Sequence, residues 1–157
     1  MNSVARVNRA QVLLWLRRAA VCLLFSASAL DAVAASAGMV KRIGGQVSVV
    51  RAGQSLPASV GMRLLTGDEL RTSRDGSAGV SFADNTVVSL GPNSRYSIDR
   101  FSFNSTTHKG EFASRLDHGS LAMVSGKLAK QSPDAVTVST PSSMLGVRGT
   151  RFVVEAP

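Results

Sequence analysis

Residues 61–72 read GMRLLTGDELRT, and residues 139–154 read STPSSMLGVRGTRFVV. Both stretches place glycines and small polar residues directly before a short apolar run, which is typical of a turn that leads into a β-strand. Gly67 and Asp68 are predicted to form such a turn, because glycine adopts positive φ and an aspartate side chain accepts backbone N–H bonds. We therefore expect this pair to serve the fold rather than a ligand.

Short runs of alternating apolar and polar residues fill the region between the two stretches, and no long helical period is present. The alternation predicts a hairpin over residues 78–90 that turns at Asp84-Asn85. Further strands are predicted over residues 46–51, 69–72, 112–116, 121–124, 136–139 and 152–154, with a turn at His118-Gly119 between the third and the fourth.

Four local features are predicted outside these strands. Tyr96 and Ile98 alternate on one parity and Phe101 and Phe103 on the other, so burying all four requires a bulge or bend near Arg100. Three segments lack clear strand character. Residues 104–110 are predicted to form a polar loop, residues 127–134 a mobile connection, and residues 142–145 a single helical turn.

The sequence therefore predicts an all-β fold of short antiparallel strands that follows an N-terminal signal helix. A compact sandwich, a barrel and a short solenoid-like coil of sheet all fit strands at this spacing. The periodicity does not choose among them.

The N-terminal 37 residues have the order of a secretory signal peptide. Four arginines come first, an apolar stretch follows over residues 19–30, and Ala35-Ser36-Ala37 supplies small residues for cleavage. The apolar stretch has about 12 residues, whereas a membrane-spanning helix needs roughly 20. We expect cleavage after Ala37 and a periplasmic or secreted domain over residues 38–157, with an uncleaved anchor as the alternative.

The chain outside this signal contains no cysteine, because Cys22 is the only one. Disulfides and thiolate metal sites are therefore excluded from residues 38–157. That region has 14 basic and nine acidic residues, a net charge of +5. This charge is compatible with an acidic glycan as partner, but the export signal and the scarcity of aromatic residues argue against nucleic acid.

Residues suited to catalysis are few in this sequence. His108 lies in the predicted loop and His118 in the predicted turn, and neither has the spacing of a zinc motif. No nucleophile elbow or phosphate-binding glycine loop is present. We therefore expect no enzyme activity, no cofactor and no metal.

Arg148 is the candidate interaction residue of the second stretch. It lies between Gly146 and Gly149, and a guanidinium on a constrained loop can bind a carboxylate in bidentate fashion. We expect Gly146, Gly149 and Thr150 to form a close-packed turn. The carboxylate is predicted to be internal, on Asp68 or Glu69, with a partner's carboxylate as the alternative.

The order of these motifs resembles the FecR-type domain, the extracytoplasmic domain of bacterial transmembrane signalling regulators. The resemblance rests on residues 65–72, 81–90, 116–121 and 136–154, and extends from about Met39 to Val154. The family-motif residues that we expect to be mainly structural are Gly61, Gly67, Asp68, Thr72, Gly119, Pro141, Gly146, Arg148, Gly149 and Thr150.

The resemblance implies a non-enzymatic sensing or protein-interaction domain in the periplasm. The best-known members join it to a cytoplasmic anti-sigma segment through one membrane span, and they relay the occupancy of an iron-siderophore receptor to a sigma factor. Only about 18 residues precede the apolar stretch here, so we expect no folded anti-sigma domain. The expected partner is another envelope protein, and the alternative is a structural or glycan-binding envelope module.

Overall fold

A computed structural model describes residues 36–147 and 151–157 of the protein. These residues form an all-β fold, as predicted, with one short α-helix, α1 (Lys127–Gln131), and one 3₁₀ turn at Pro133–Ala135. The strands are β1 (Gly38–Gly44), β2 (Val47–Arg51), β3 (Gln54–Pro57), β4 (Arg63–Leu64), β5 (Glu69–Thr72), β6 (Ser77–Phe82), β7 (Val87–Leu90), β8 (Arg95–Phe103), β9 (Gly110–Val124), β10 (Val136–Ser139), β11 (Met144–Gly146) and β12 (Arg151–Ala156).

The strands form one continuous sheet that curls into a half-barrel. Nine of them follow one another in the order β3-β2-β5-β8-β9-β7-β6-β1-β4, and every neighbouring pair on this path is antiparallel. Strand β12 pairs antiparallel with β9, and β11 pairs antiparallel with β10. Strand β10 runs parallel to β9, which departs from the expected all-antiparallel arrangement.

Strand β9 belongs to both halves of this sheet. Its first part pairs with β8 and its last four residues pair with β7. The sequence predicted two strands with a turn at His118-Gly119, but the structure has one strand of 15 residues that bends there instead. Gly119 has a φ of +92°, and a Cβ at this position would lie 2.5 Å from Ser94 Cα. Glycine therefore permits both the bend and the close approach of the neighbouring turn.

Three phenylalanines join the two halves of the sheet across the core. The ring centroids of Phe82 and Phe112 lie 4.5 Å apart, and those of Phe101 and Phe112 lie 5.3 Å apart. Because Phe82 is on β6 and the other two are on β8 and β9, this contact closes the curl. The predicted bulge is confirmed, since the register shifts between Ile98 and Arg100 and brings Phe101 opposite Phe112.

The predicted hairpin over residues 78–90 is confirmed as β6 and β7. Its loop has four residues, 83–86, rather than the expected two, and the Phe82 N–H bonds to Thr86 O across three of them. Asp84 is fully buried in this loop, and its carboxylate accepts the Thr86 N–H at 3.1 Å and the Thr86 hydroxyl at 2.7 Å. The hydroxyl oxygen in turn accepts the Gly126 N–H, which ties the loop to the segment after β9.

Two predicted connections have a different structure. The segment predicted to be mobile, residues 127–134, forms α1 and the start of the 3₁₀ turn, because Leu128 and Ala129 are buried in the core. The segment predicted to be a helical turn, residues 142–145, instead leads into β11. The Thr140 hydroxyl accepts the Ser143 N–H and closes a turn, after which Met144 pairs with Ser139 of β10.

Ala37 directly precedes β1 and is anchored to neighbouring strands and loops. Its N–H donates to Leu64 O at 2.8 Å, its carbonyl accepts the Ala83 N–H at 3.0 Å, and its side chain is fully buried. Ala37 therefore packs into the domain, and the expected boundary between residues 37 and 38 stays a prediction. Most of the predicted signal segment, residues 1–35, lies outside the described residues.

Among residues 36–147 and 151–157, no helix is long and apolar enough to cross a membrane.

Phe112→Ala is expected to lower the free energy of unfolding by about 3–5 kcal/mol, because it removes the ring that both other phenylalanines contact and leaves a cavity. Urea denaturation followed by circular dichroism measures this loss. Phe103→Ala is the matched control, since Phe103 is only partly buried at the end of β8 and stacks on His108. Equal losses for the two variants would contradict a core centred on Phe112.

Candidate functional site

The Asp68 carboxylate is buried, with 1% of its side chain exposed, and Arg51 neutralises it from the end of β2. Arg51 Nε lies 2.8 Å from Asp68 Oδ1 and Nη2 lies 2.7 Å from Oδ2, which is a bidentate ion pair. The Leu65 N–H also donates to Oδ2, and Arg51 Nη2 donates to Arg63 O. The hydrogen bond to Asp68 raises the pKa of Arg51, so the guanidinium remains charged.

The turn at Gly67-Asp68 is attached to β8 by backbone hydrogen bonds. Gly67 has a φ of +91° and its N–H donates to Ile98 O at 2.7 Å, while the Ile98 N–H donates to Asp68 O at 2.9 Å. The Asp68 carboxylate, the Gly67 N–H and the Asp68 carbonyl thus all have hydrogen-bond partners within the protein. The geometry therefore agrees with a structural role for both residues.

Arg51 is the residue that sequence reasoning missed, since it ends an ordinary strand and belongs to no motif. Glu69 contacts Arg71, and its Oε1 lies 3.8 Å from Arg95 Nε. Arg148 was the predicted partner of Asp68 or Glu69, and it lies outside the described residues together with Gly149 and Thr150. Its pairing stays a prediction.

Thr72 and Gly119 lie on two sides of one hydrogen-bonded turn, residues 91–94. The Thr72 hydroxyl donates to Gly91 O at 2.7 Å and accepts the Ser94 N–H at 2.8 Å. The Ser94 hydroxyl lies 3.1 Å from Ser120 O and accepts the Ser120 N–H. This network fixes the corner at which β7 ends, β8 begins and β9 bends.

The remaining described motif residues lie apart from this corner. Gly61 has a φ of +89° and its N–H donates to Val40 O, in the turn that precedes β4. Pro141 is exposed in the turn between β10 and β11. Gly146 ends β11, and no atom of the described residues lies within 4 Å of a Cβ placed there. The turn expected with Gly149 and Thr150 includes residues outside the described ones, so its close packing stays a prediction.

The side chains that could take part in acid–base, nucleophilic or metal chemistry are dispersed over the described residues. His108 stacks on Phe103, whereas His118 lies in a surface groove beside Asp117. Tyr96 Oη and Ser114 Oγ are buried in the core, and burial raises the pKa of Tyr96. In residues 36–147 and 151–157, no three His, Cys, Asp or Glu side chains are grouped to hold a metal ion.

One surface cluster does bring charged residues together. Arg71, Arg95 and His118 occupy directly opposite positions on β5, β8 and β9, and they line a groove of about 420 Å³. A second groove, of about 670 Å³, also includes Arg71 in its lining. Sequence alternation could have placed Arg71 and Arg95 on outward positions, but only strand pairing reveals that they are neighbours.

Arg51→Ala is expected to destabilise the protein by about 3–5 kcal/mol, because it leaves the buried Asp68 carboxylate without its cation. Thermal and urea unfolding measure this change, and Asp68→Ala should also lower stability. Arg115→Ala is the control, since its pair with Asp99 is exposed and worth about 0–1 kcal/mol. If Asp68→Ala left stability unchanged but abolished binding of a partner, the structural role would be refuted.

Thr72→Val is expected to cost about 1–3 kcal/mol, because the Ser94 N–H loses its acceptor inside the corner. Thr72→Ser keeps the hydroxyl and should retain most of the stability. Chemical denaturation of the three proteins makes the comparison. A Thr72→Val protein as stable as the Thr72→Ser protein would show that the network does not hold the corner.

Comparison with known proteins identifies the family of this chain. The model of the family described as FecR protein matches residues 68–157, from β5 to the end of β12. No curated protein and no solved structure matched the chain. The match begins at Asp68, whereas the resemblance extends from about Met39. Strands β1 and β2 precede the matched region and pair with β6 and β5 within it. Since the match covers more than half of the sequence, the protein belongs to the FecR family.

Proposed function

We propose that this protein is an exported, non-enzymatic domain that binds another protein of the cell envelope and takes part in signalling, in a system linked to iron uptake. The observation that carries the proposal is the FecR family match over residues 68–157. Membership of this family supports a signalling-regulator role. The envelope location, the iron link and the partner are the proposed refinements of that role.

The arrangement of the motif residues supports binding at an outer surface. Asp68 and Thr72 are buried and pair within the fold, so they are not available to a ligand. Strands β3, β4, β11 and β12 end the pairing paths of the sheet, and Met144 and Val153 on two of them are largely exposed. A partner would therefore meet strand edges and outward side chains rather than an enclosed cavity.

The proposal includes removal of the N-terminal segment during export. Cleavage after Ala37 would remove a buried residue and the hydrogen bonds that it makes with Leu64 and Ala83. Ala32-Val33-Ala34 offers the same small-residue pattern three residues earlier. We therefore expect the exported protein to begin at Ala35, which mass spectrometry of its N-terminus tests. Recovery of chains that begin at Met1 would contradict processing.

The experiment that tests the function is chemical crosslinking of the tagged protein in its native envelope. Purified complexes are then identified by mass spectrometry, with a tagged periplasmic protein of another fold as control. A reproducible receptor or inner-membrane signalling protein is expected. Failure to recover any specific protein, at a crosslinker dose that captures known envelope complexes, would refute the proposal.

A glycan-binding role is the second candidate, and the net charge of +5 over residues 38–157 favours it. Binding of this kind rests on long-range attraction and weakens when salt screens the charges. Sedimentation with purified peptidoglycan at low and moderate salt separates the two roles. Salt-sensitive sedimentation without a protein partner would favour the glycan-binding role.

A further inference from the structure

Two arginines face each other on the outer surface of the sheet. Arg71 on β5 lies directly opposite Arg95 on β8, and Arg95 lies opposite His118 on β9. Like charges at directly opposite positions destabilise an antiparallel pair. The two arginines therefore repel each other across the strands, and together with His118 we call them the arginine row.

In the part of the chain that the structure describes, the Glu69 carboxylate is the one that pairs with both arginines of the row. Arg71 Nε contacts Glu69 Oε1, and Arg95 Nε lies 3.8 Å from the same oxygen. Nearby, Arg115 pairs with Asp99 at 3.0 Å and Arg100 pairs with Glu111 at 3.2 Å, each with a carboxylate of its own. The two guanidiniums are about half exposed, so solvent and a second anion can reach them.

The surroundings of the row form two adjoining grooves. The groove of about 420 Å³ is lined by the whole row. Strand β9 has a bulge of one residue there, since Arg95 pairs with His118 whereas the next residue, Tyr96, pairs with Leu116. Bulges of this kind redirect side chains and are frequent beside functional sites. The groove of about 670 Å³ is also lined by Arg71, and its lining includes the apolar side chains of Ile43, Pro57 and Ala58. Arg71 thus lies between a charged and a partly apolar concavity.

We propose that the arginine row binds a segment of a partner protein that presents a carboxylate to Arg71 and Arg95 and an apolar side chain to the adjoining groove. Two guanidiniums that converge on one oxygen suit one acidic side chain rather than a row of charges. The apolar wall favours a peptide, because an acidic polysaccharide has no apolar side chain to place there. The inference rests on the proposed function and specifies where and how the envelope partner would bind.

Glu69 provides an internal test of this inference. Its carboxylate lies between the two arginines that the ligand carboxylate would contact, so its negative charge opposes that of the ligand. Glu69→Gln removes the competing charge and should therefore strengthen binding. If the arginines served only the fold, Glu69→Gln would have no effect on the affinity for a peptide.

The experiment measures binding of short synthetic peptides to the exported protein by fluorescence anisotropy. One set contains Glu beside Leu, and the matched set has Gln in place of every Glu. We expect binding of the Glu peptides, with affinity reduced about tenfold or more by Arg71→Gln and by Arg95→Gln, because each removes a charge-assisted contact. Arg115→Gln is the matched control and should leave affinity unchanged, whereas Glu69→Gln should raise it.

Four results would overturn the arginine row as a peptide site. These are absence of binding by the Glu peptides, equal binding of the Gln peptides, an equal loss with Arg115→Gln, and binding of polygalacturonate with the same dependence on the two arginines. The last result would assign the row to an acidic saccharide instead.

Crosslinking in the envelope distinguishes failure of the site from failure of the proposed function. The Arg71→Gln/Arg95→Gln double variant is expected to lose the partner that the wild-type protein captures. Retention of the same partner by the double variant would overturn the arginine row while leaving the interaction role in place. Absence of any partner with the wild-type protein would refute the role itself.

Discussion

The architecture of this protein depends on the bend in strand β9 at Gly119. The strand pairs with β8 before the bend and with β7 near its end, so it passes from one half of the curled sheet to the other. A flat strand of this length would hold both halves in one plane and leave the inward phenylalanines without partners. Because a side chain at Gly119 would collide with Ser94, the bend and the turn over it require glycine.

Two buried carboxylates show how the protein compensates for the burial of polar groups at its turns. Asp68 is neutralised by the guanidinium of Arg51, whereas Asp84 is held by the hydroxyl and N–H of Thr86. A buried acid without such partners would cost several kcal/mol, so the donors must be positioned when the chain folds. Each turn therefore favours one backbone conformation, and this conformation sets the register of the strands beside it.

The inner and outer surfaces of the sheet differ in the contacts that their polar residues make. The turns of the inner surface contain the motif residues Asp68 and Thr72, whose hydrogen bonds are internal. The outer surface carries the arginine row, which includes an unfavourable placement of like charges and has no role in the core. A protein that senses or transmits a signal must expose a surface whose contacts are incomplete in isolation. The arginine row is the part of the described structure that best fits this description.

The sequence by itself determined the all-β class, the hairpin over residues 78–90 and the bulge near Arg100, because each depends on local alternation and turn chemistry. It did not determine the continuity of β9, the helix after it or the parallel pairing of β10, since these depend on what packs against them. The Arg51–Asp68 pair and the arginine row likewise join residues far apart in the chain. Only the tertiary structure decides such neighbours, because strand order and register place side chains together irrespective of their separation in sequence.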